Sequence, residues 1–176
     1  MFMKLTVKIG IVAMCILFIP GCITLQVKSV KAYPSTLKNL PPVLVVAHDL
    51  NDKTPRTLVD VGELGRSVER QLSDGGVQII NVSIWKVKEL VEHPWLVIEF
   101  ATFQLESSAY AHYVQLRLSQ IIQVKTDAGE KAVTATIYEL HGPIAVSNRM
   151  SSAVLRNSVG PLVDEFINDY KLANQQ

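Results

Sequence analysis

The chain has 176 residues, 48% of them hydrophobic, and its 17 Lys and Arg stand against 16 Asp and Glu for a net charge of +1. A balance so near neutrality offers no polycationic surface for nucleic acid, and the length suits one domain with a proper core rather than two. Two cysteines and four scattered histidines leave no basis for a disulfide framework or a Cys/His metal cluster.

Lys4 and Lys8 precede an apolar run over residues 9–19, which Pro20, Gly21 and Cys22 end. A basic start, an apolar middle and a small-residue stop form the layout of a signal peptide. Crossing the hydrocarbon takes about 20 apolar residues, so the run is short for an uncleaved anchor. Ile19 is badly placed for an ordinary secretory cut after Gly21. Ile19-Pro20-Gly21-Cys22 resembles a bacterial lipobox, with Pro20 where Ala or Ser is usual. That resemblance implies removal of residues 1–21 and a diacylglycerol on the Cys22 thiol, with the new amine often acylated too, for example with palmitate. Ile23 is not the Asp that retains lipoproteins at the inner membrane of enteric bacteria, so the resemblance implies the outer membrane, facing the periplasm. Plain secretion and an uncleaved anchor remain the alternatives. Cleavage would discard Cys15 and leave 155 residues with 15 basic and 16 acidic groups, a net of about −1, and no cysteine but Cys22.

Residues 23–40 mix Lys28, Lys31 and Lys38 with Ser, Thr and Pro and read as a tether between membrane and domain. Pro41-Pro42 then leads into the β-branched run Val43-Leu44-Val45-Val46-Ala47, a strand buried on both faces. After a polar loop, Asp60 and Glu63 stand at capping-box spacing before a helix with Val61, Leu64, Val68 and Leu72 on one face. Gly75-Gly76 supplies its left-handed stop. Residues 77–82 read as a second strand, and Ser83 as the cap of a short helix that Pro94 ends.

From Trp95 the period changes to two, giving strands over residues 95–105, 110–124 and 132–141 joined by short polar links, an antiparallel meander. His112, Val114, Leu116 and Leu118 share one face of the middle strand, and Tyr113, Gln115, Arg117 and Ser119 the other. Gln120 and Ile121 interrupt that pattern, so a bulge is expected before Ile122 and Val124 resume the buried face. His141-Gly142-Pro143 turns the chain into a closing helix over residues 151–172, lined by Leu155, Val159, Leu162, Val163, Phe166 and Tyr170. Gly160-Pro161 is expected to kink or split it, and residues 173–176 read as a polar tail. The expected fold is a single two-layer α/β (α+β) domain over residues 41–172. Its mixed sheet of about five strands includes the three-stranded meander and is packed by two main helices and a short one.

This order of elements covers residues 41–170. Its markers are Pro42-Val43-Leu44-Val45-Val46; Leu64, Val68 and Leu72 with Gly75-Gly76; Trp95-Leu96-Val97-Ile98-Glu99-Phe100; and Leu162-Val163 with Phe166. It resembles the small periplasmic domain of several bacterial lipoprotein groups: the auxiliary lipoproteins of lipid-transport ABC systems, the activators of peptidoglycan synthases and the curli secretion lipoprotein. The N-terminal domain of the Tol-system propeller protein is similar. The chain has no room for the pore strands of the curli relative, nor for a propeller.

Chemistry is sparse. His48-Asp49 ends the first strand, where ligands gather in open α/β sheets, and His48 is the candidate base of a hydrolase; the competing reading is a pair of polar residues opening a loop. Gly62 and Gly65 lie within a helix without a phosphate-loop Lys and read as a place for close packing. Tyr110, Tyr113 and Arg117 are the candidate partner-contact stripe. No catalytic residue, metal or cofactor is assigned. The expected role is a non-enzymatic accessory or scaffold protein of a cell-envelope complex, held to the membrane through Cys22 and binding a protein partner. An auxiliary subunit of an ABC-type lipid or hydrophobic-solute transporter is the second reading, the His48/Asp49 hydrolase the third; the oligomeric state stays open.

Overall fold

The computed structural model describes residues 24–25, 34–51, 59–80, 93–127 and 129–175. They form an α/β domain with a mixed sheet and two long helices. In chain order these are β1 (Thr24–Leu25), a 3-10 turn at Pro34–Leu37, β2 (Leu44–Asp49), α1 (Val61–Asp74), β3 (Trp95–Gln104), β4 (Tyr110–Thr126), β5 (Gly129–His141), β6 (Ile144–Ser147) and α2 (Ser152–Asn174). The sheet order is β1-β6-β4-β3-β2, with β5 beside β4 on the same edge as β6. Among the named strands β2 and β3 are the one parallel pair; β3, β4 and β5 make the expected meander. The expected strand over residues 77–82 is, within the described residues, one parallel bridge from Ile79 to Val43. The expected short helix after Ser83 lies outside them.

Both helices lie on one face. Leu96, Ile98 and Phe100 of β3, Val114, Leu116 and Leu118 of β4, and Tyr138 and Leu140 of β5 bury that face against Leu64, Val68 and Leu72 of α1 and Leu155, Val159, Val163 and Phe166 of α2. The period-2 and period-3.6 patterns of the sequence are this core seen from its two layers. α1 and α2 run alongside each other in the same direction. Asp60 N–H donates to Ser152 Oγ and Arg156 pairs with Glu63 at 2.8 Å near their starts, while Gln71 donates to the Gly160 carbonyl and to Asp164 farther along.

The helix ends follow the sequence with one change of partner. Asp60 Oδ1 accepts from Glu63 N–H at 2.9 Å, the first half of a capping box, but the Glu63 carboxylate turns to Arg156. At the far end Val77 N–H reaches the Leu72 carbonyl and Gly76 N–H the Ser73 carbonyl, a Schellman closure with Gly76 at φ +86°. Gly75 keeps a right-handed φ, and a Cβ there would meet the Ile167 side chain at 2.7 Å. Gly65 faces Ala47 of β2, whereas Gly62 is exposed, so only the second of the two glycines serves close packing.

Five expectations are revised. Residues 34–40 belong to the domain rather than to a tether: Leu37 is fully buried, Thr36 Oγ1 donates to the Ile137 carbonyl, and Asn174 donates to the Leu37 carbonyl. That last contact, with Ala173 buried in the core, also makes residues 173–174 helix rather than polar tail. α2 continues through Pro161 as one helix, because the packing of both halves outweighs the single backbone bond that proline removes. The bulge lies in β5, not β4: Leu118 pairs with Tyr138 and Ser119 with Thr136, so Ile137 is the extra residue. β4 keeps its alternation through Ile122 and Val124, which are exposed because the strand has run past the core. Gly142 and Pro143 interrupt a strand line instead of turning it, since β6 continues along β4 where β5 leaves off.

Candidate functional site

The sheet face opposite the helices carries the most connected polar cluster among the described residues. The register sets it in two rows. His48 of β2, Glu99 of β3, Gln115 of β4 and His141 of β5 are cross-strand neighbours, and Val46, Val97, Arg117 and Glu139 form the adjoining row. Tyr113 stands one step beyond Gln115 on the same face.

Glu99 is the hub, 7% exposed although ionisable. Arg117 Nη2 donates to its Oε1 at 2.8 Å and Gln115 Nε2 donates to its Oε2. Because the Gln115 amine faces this carboxylate, its Oε1 faces outward and accepts from the Tyr113 hydroxyl at 3.0 Å. The phenol proton is thereby committed, and the Tyr113 oxygen accepts from His141 Nδ1, which fixes the histidine tautomer through the network. His141 Nε2 faces Glu139 Oε2 at 3.6 Å, and the Tyr113 and His141 rings stack 6.1 Å apart. Donors thus run in one direction, from His141 through Tyr113 and Gln115 to Glu99. Burial, then the negative charges of Glu139 and Glu99, push the Tyr113 hydroxyl above its usual range, so it stays protonated and donating.

Of the three residues in the expected contact stripe, two are here. Tyr113 and Arg117 share this face, four residues apart on one strand, while Tyr110 has the opposite parity and packs against the core. Strand parity alone separates Tyr110 from Tyr113. Glu99, Gln115 and His141 were not singled out, because cross-strand register is not written in any one segment. Cys22 lies outside the described residues.

His48 and Asp49, as neighbours on a strand, point to opposite faces and do not converge on one substrate. His48 is exposed beside Glu99; the Asp49 carboxylate accepts from Asn51 N–H at 3.0 Å, a turn that opens the following loop. Asn51 closes the end of the sheet by donating to the Thr102 carbonyl.

Two further polar pairs sit inside the core. His112 Nε2 bonds Ser158 Oγ at 2.8 Å, and Ser158 donates in turn to the Val154 carbonyl, so His112 is the donor and is protonated on Nε2. Burial lowers the affinity of that ring for a second proton. Tyr138 donates to Asp169 Oδ2 at 2.9 Å in a buried contact. Among the described residues no group of three or more His, Cys, Asp or Glu is placed to hold a metal ion. An open groove of about 690 Å³ between α1 and α2 is lined largely by polar side chains, including Arg70, Gln71, Asp74, Asp164 and Lys171.

The chain matches no protein-family model, no curated protein and no solved structure.

Proposed function

We propose that the protein is a lipid-anchored accessory protein of the bacterial cell envelope, facing the periplasm, that acts by contact and not by catalysis. The lipobox-like Ile19-Pro20-Gly21-Cys22 supports the address. The observation that carries the mode of action is the Glu99-centred network, which holds Tyr113 and Arg117 in one geometry on the helix-free face. Side chains fixed in advance lose little entropy when a partner docks, and Tyr and Arg are frequent anchors of interfaces. The alternative of a hydrophobic-solute carrier finds less support, since the groove between the helices is polar. The divergence of His48 and Asp49 weighs against the hydrolase reading.

Crosslinking of the full-length protein in cells tests this. A discrete envelope partner should be captured by the parent, lost with Arg117→Glu and kept with Lys125→Glu at the far hairpin. A protein that stays monomeric in every condition, or a partner indifferent to Arg117, overturns the contact reading. Cys22→Ser tests the address, because it should release the protein from membranes and abolish fatty-acid labelling; membrane binding without that thiol restores the uncleaved anchor.

A further inference from the structure

Thr24 is a neighbour of Ala145 in β6, Ala145 of His112 in β4, and His112 of Thr102 in β3. One row therefore crosses the sheet from β1 to β3 in three inter-strand steps, about 14 Å. Cys22 precedes Thr24 by two residues, which reach about 7 Å even when fully extended. β1 runs antiparallel to β6, with Thr24 opposite Ala145 and Leu25 opposite Ile144, so the Thr24 end of β1 is the one toward Ser147. That is also the end where β3 turns into β4.

The same end displays large apolar side chains. Phe103, one residue past Thr102, is 54% exposed; Leu105 in the turn is 39% exposed; and Leu50, whose N–H bonds the Phe100 carbonyl, is 47% exposed. Ile122, Val124 and Val133 form a comparable exposed group on the far β4–β5 extension, so what distinguishes Phe103, Leu105 and Leu50 is that they lie at the end of the sheet that Cys22 must adjoin. Charge there is mixed, with Asp49, Glu106 and Arg149, and gives no electrostatic pull toward anionic lipid.

We infer that this end of the sheet is a lipid-contacting surface, with Phe103, Leu105 and Leu50 seated in the headgroup boundary of the membrane that holds Cys22. The inference rests on the lipid anchor proposed above and adds what that reading lacks, an orientation. An anchor two residues from the folded sheet leaves no long tether, so the end nearest Cys22 is held against the bilayer. Apolar side chains at such a boundary bury to a depth of about 5–10 Å. The contact is apolar and operates on zwitterionic lipid.

The test uses full-length protein purified from membranes and placed in phosphatidylcholine vesicles, after mass spectrometry of its N-terminus. A nitroxide is attached at Phe103→Cys or, separately, Leu105→Cys, with Lys125→Cys at the opposite end as reference; a lipidated Cys22 does not react with the label. At positions 103 and 105 oxygen should relax the label more than a water-soluble nickel chelate does, and at 125 the reverse should hold, unchanged by high salt. Lipid on Cys22 with labels at 103 and 105 as open to the nickel reagent as at 125 overturns the surface alone. Dipolar broadening between labels at 103, without oxygen access, assigns the patch to a second copy of the chain and also overturns it. A mature chain with no lipid on Cys22 overturns the anchor and the surface together.

Discussion

Tyr138→Phe replaces one hydroxyl at the centre of the core by hydrogen and leaves the ring in place. The ring keeps its edge-to-face contact with Phe166, 5.3 Å between centroids, so no cavity opens. What is lost is the donor to Asp169 Oδ2 at 2.9 Å, and Asp169 is itself only 7% exposed. A hydrogen bond to a charged acceptor contributes about 1.5–3 kcal/mol, and a buried acceptor left short of a donor adds its own penalty. The expected cost is about 2 kcal/mol, a large share of the roughly 5–15 kcal/mol by which domains are stable. Urea denaturation followed by circular dichroism should show the midpoint falling by about 1 M with the slope unchanged. Alkali gives an independent check. Burial, then the hydrogen bond and charge of Asp169, raise the Tyr138 hydroxyl far above its unfolded value of 10.0. The folded state thus keeps a proton that the unfolded state loses, and its advantage is complete below pH 10 and declines as pH rises beyond it, by up to about 1.4 kcal/mol per pH unit. The gap between parent and variant should close along that limb. A variant as stable as the parent at pH 7, or a gap unaffected above pH 10, would refute the reasoning.

Acid should act through His112, whose folded-state proton affinity lies below the unfolded value near 6.5 because of burial. Its contribution to stability is full above that pH and is lost as pH falls toward the folded value, a limb that His112→Gln should flatten in acid denaturation curves. Arg117→Met leaves the buried Glu99 with Gln115 as its remaining side-chain donor among the described residues, and should cost about 1–2 kcal/mol by urea titration, less than a fully buried pair because Arg117 is 34% exposed. Gly75→Ala should destabilise by about 1–3 kcal/mol through its clash with Ile167, and Ile167→Val in the same chain should recover part of the loss. Asp60→Ala should cost about 1 kcal/mol by removing the cap of α1, read from the thermal midpoint.

The parts of the fold legible in the sequence were those that repeat. The alternation from His112 to Leu118, the helical spacing of Leu64, Val68 and Leu72, and the glycine pair that closes α1 each carry a local physical signature. The missed parts lacked one. Leu37 is a single buried residue in a polar stretch, and no period marks it. Ile137 is extra only relative to its partner strand, and β6 is four residues long. The site divided in the same way. Tyr113 and Arg117 were visible because strand parity groups them, whereas Glu99 joins them across a register that only the folded sheet defines.

β4 has 17 residues, and β3 supports it only as far as Ser119. Beyond that point its sole strand partner among the described residues is β5, and the pair extends into solvent to the turn after Thr126. Strand rise makes the distance from Tyr110 to Thr126 about 50 Å. One strand therefore serves as a measuring rod, and its length sets how far from the Tyr110 end the molecule can hold its tip. Because the core ends well short of that tip, matched insertions or deletions in the two strands would change this reach and leave the packed layer of helices as it is.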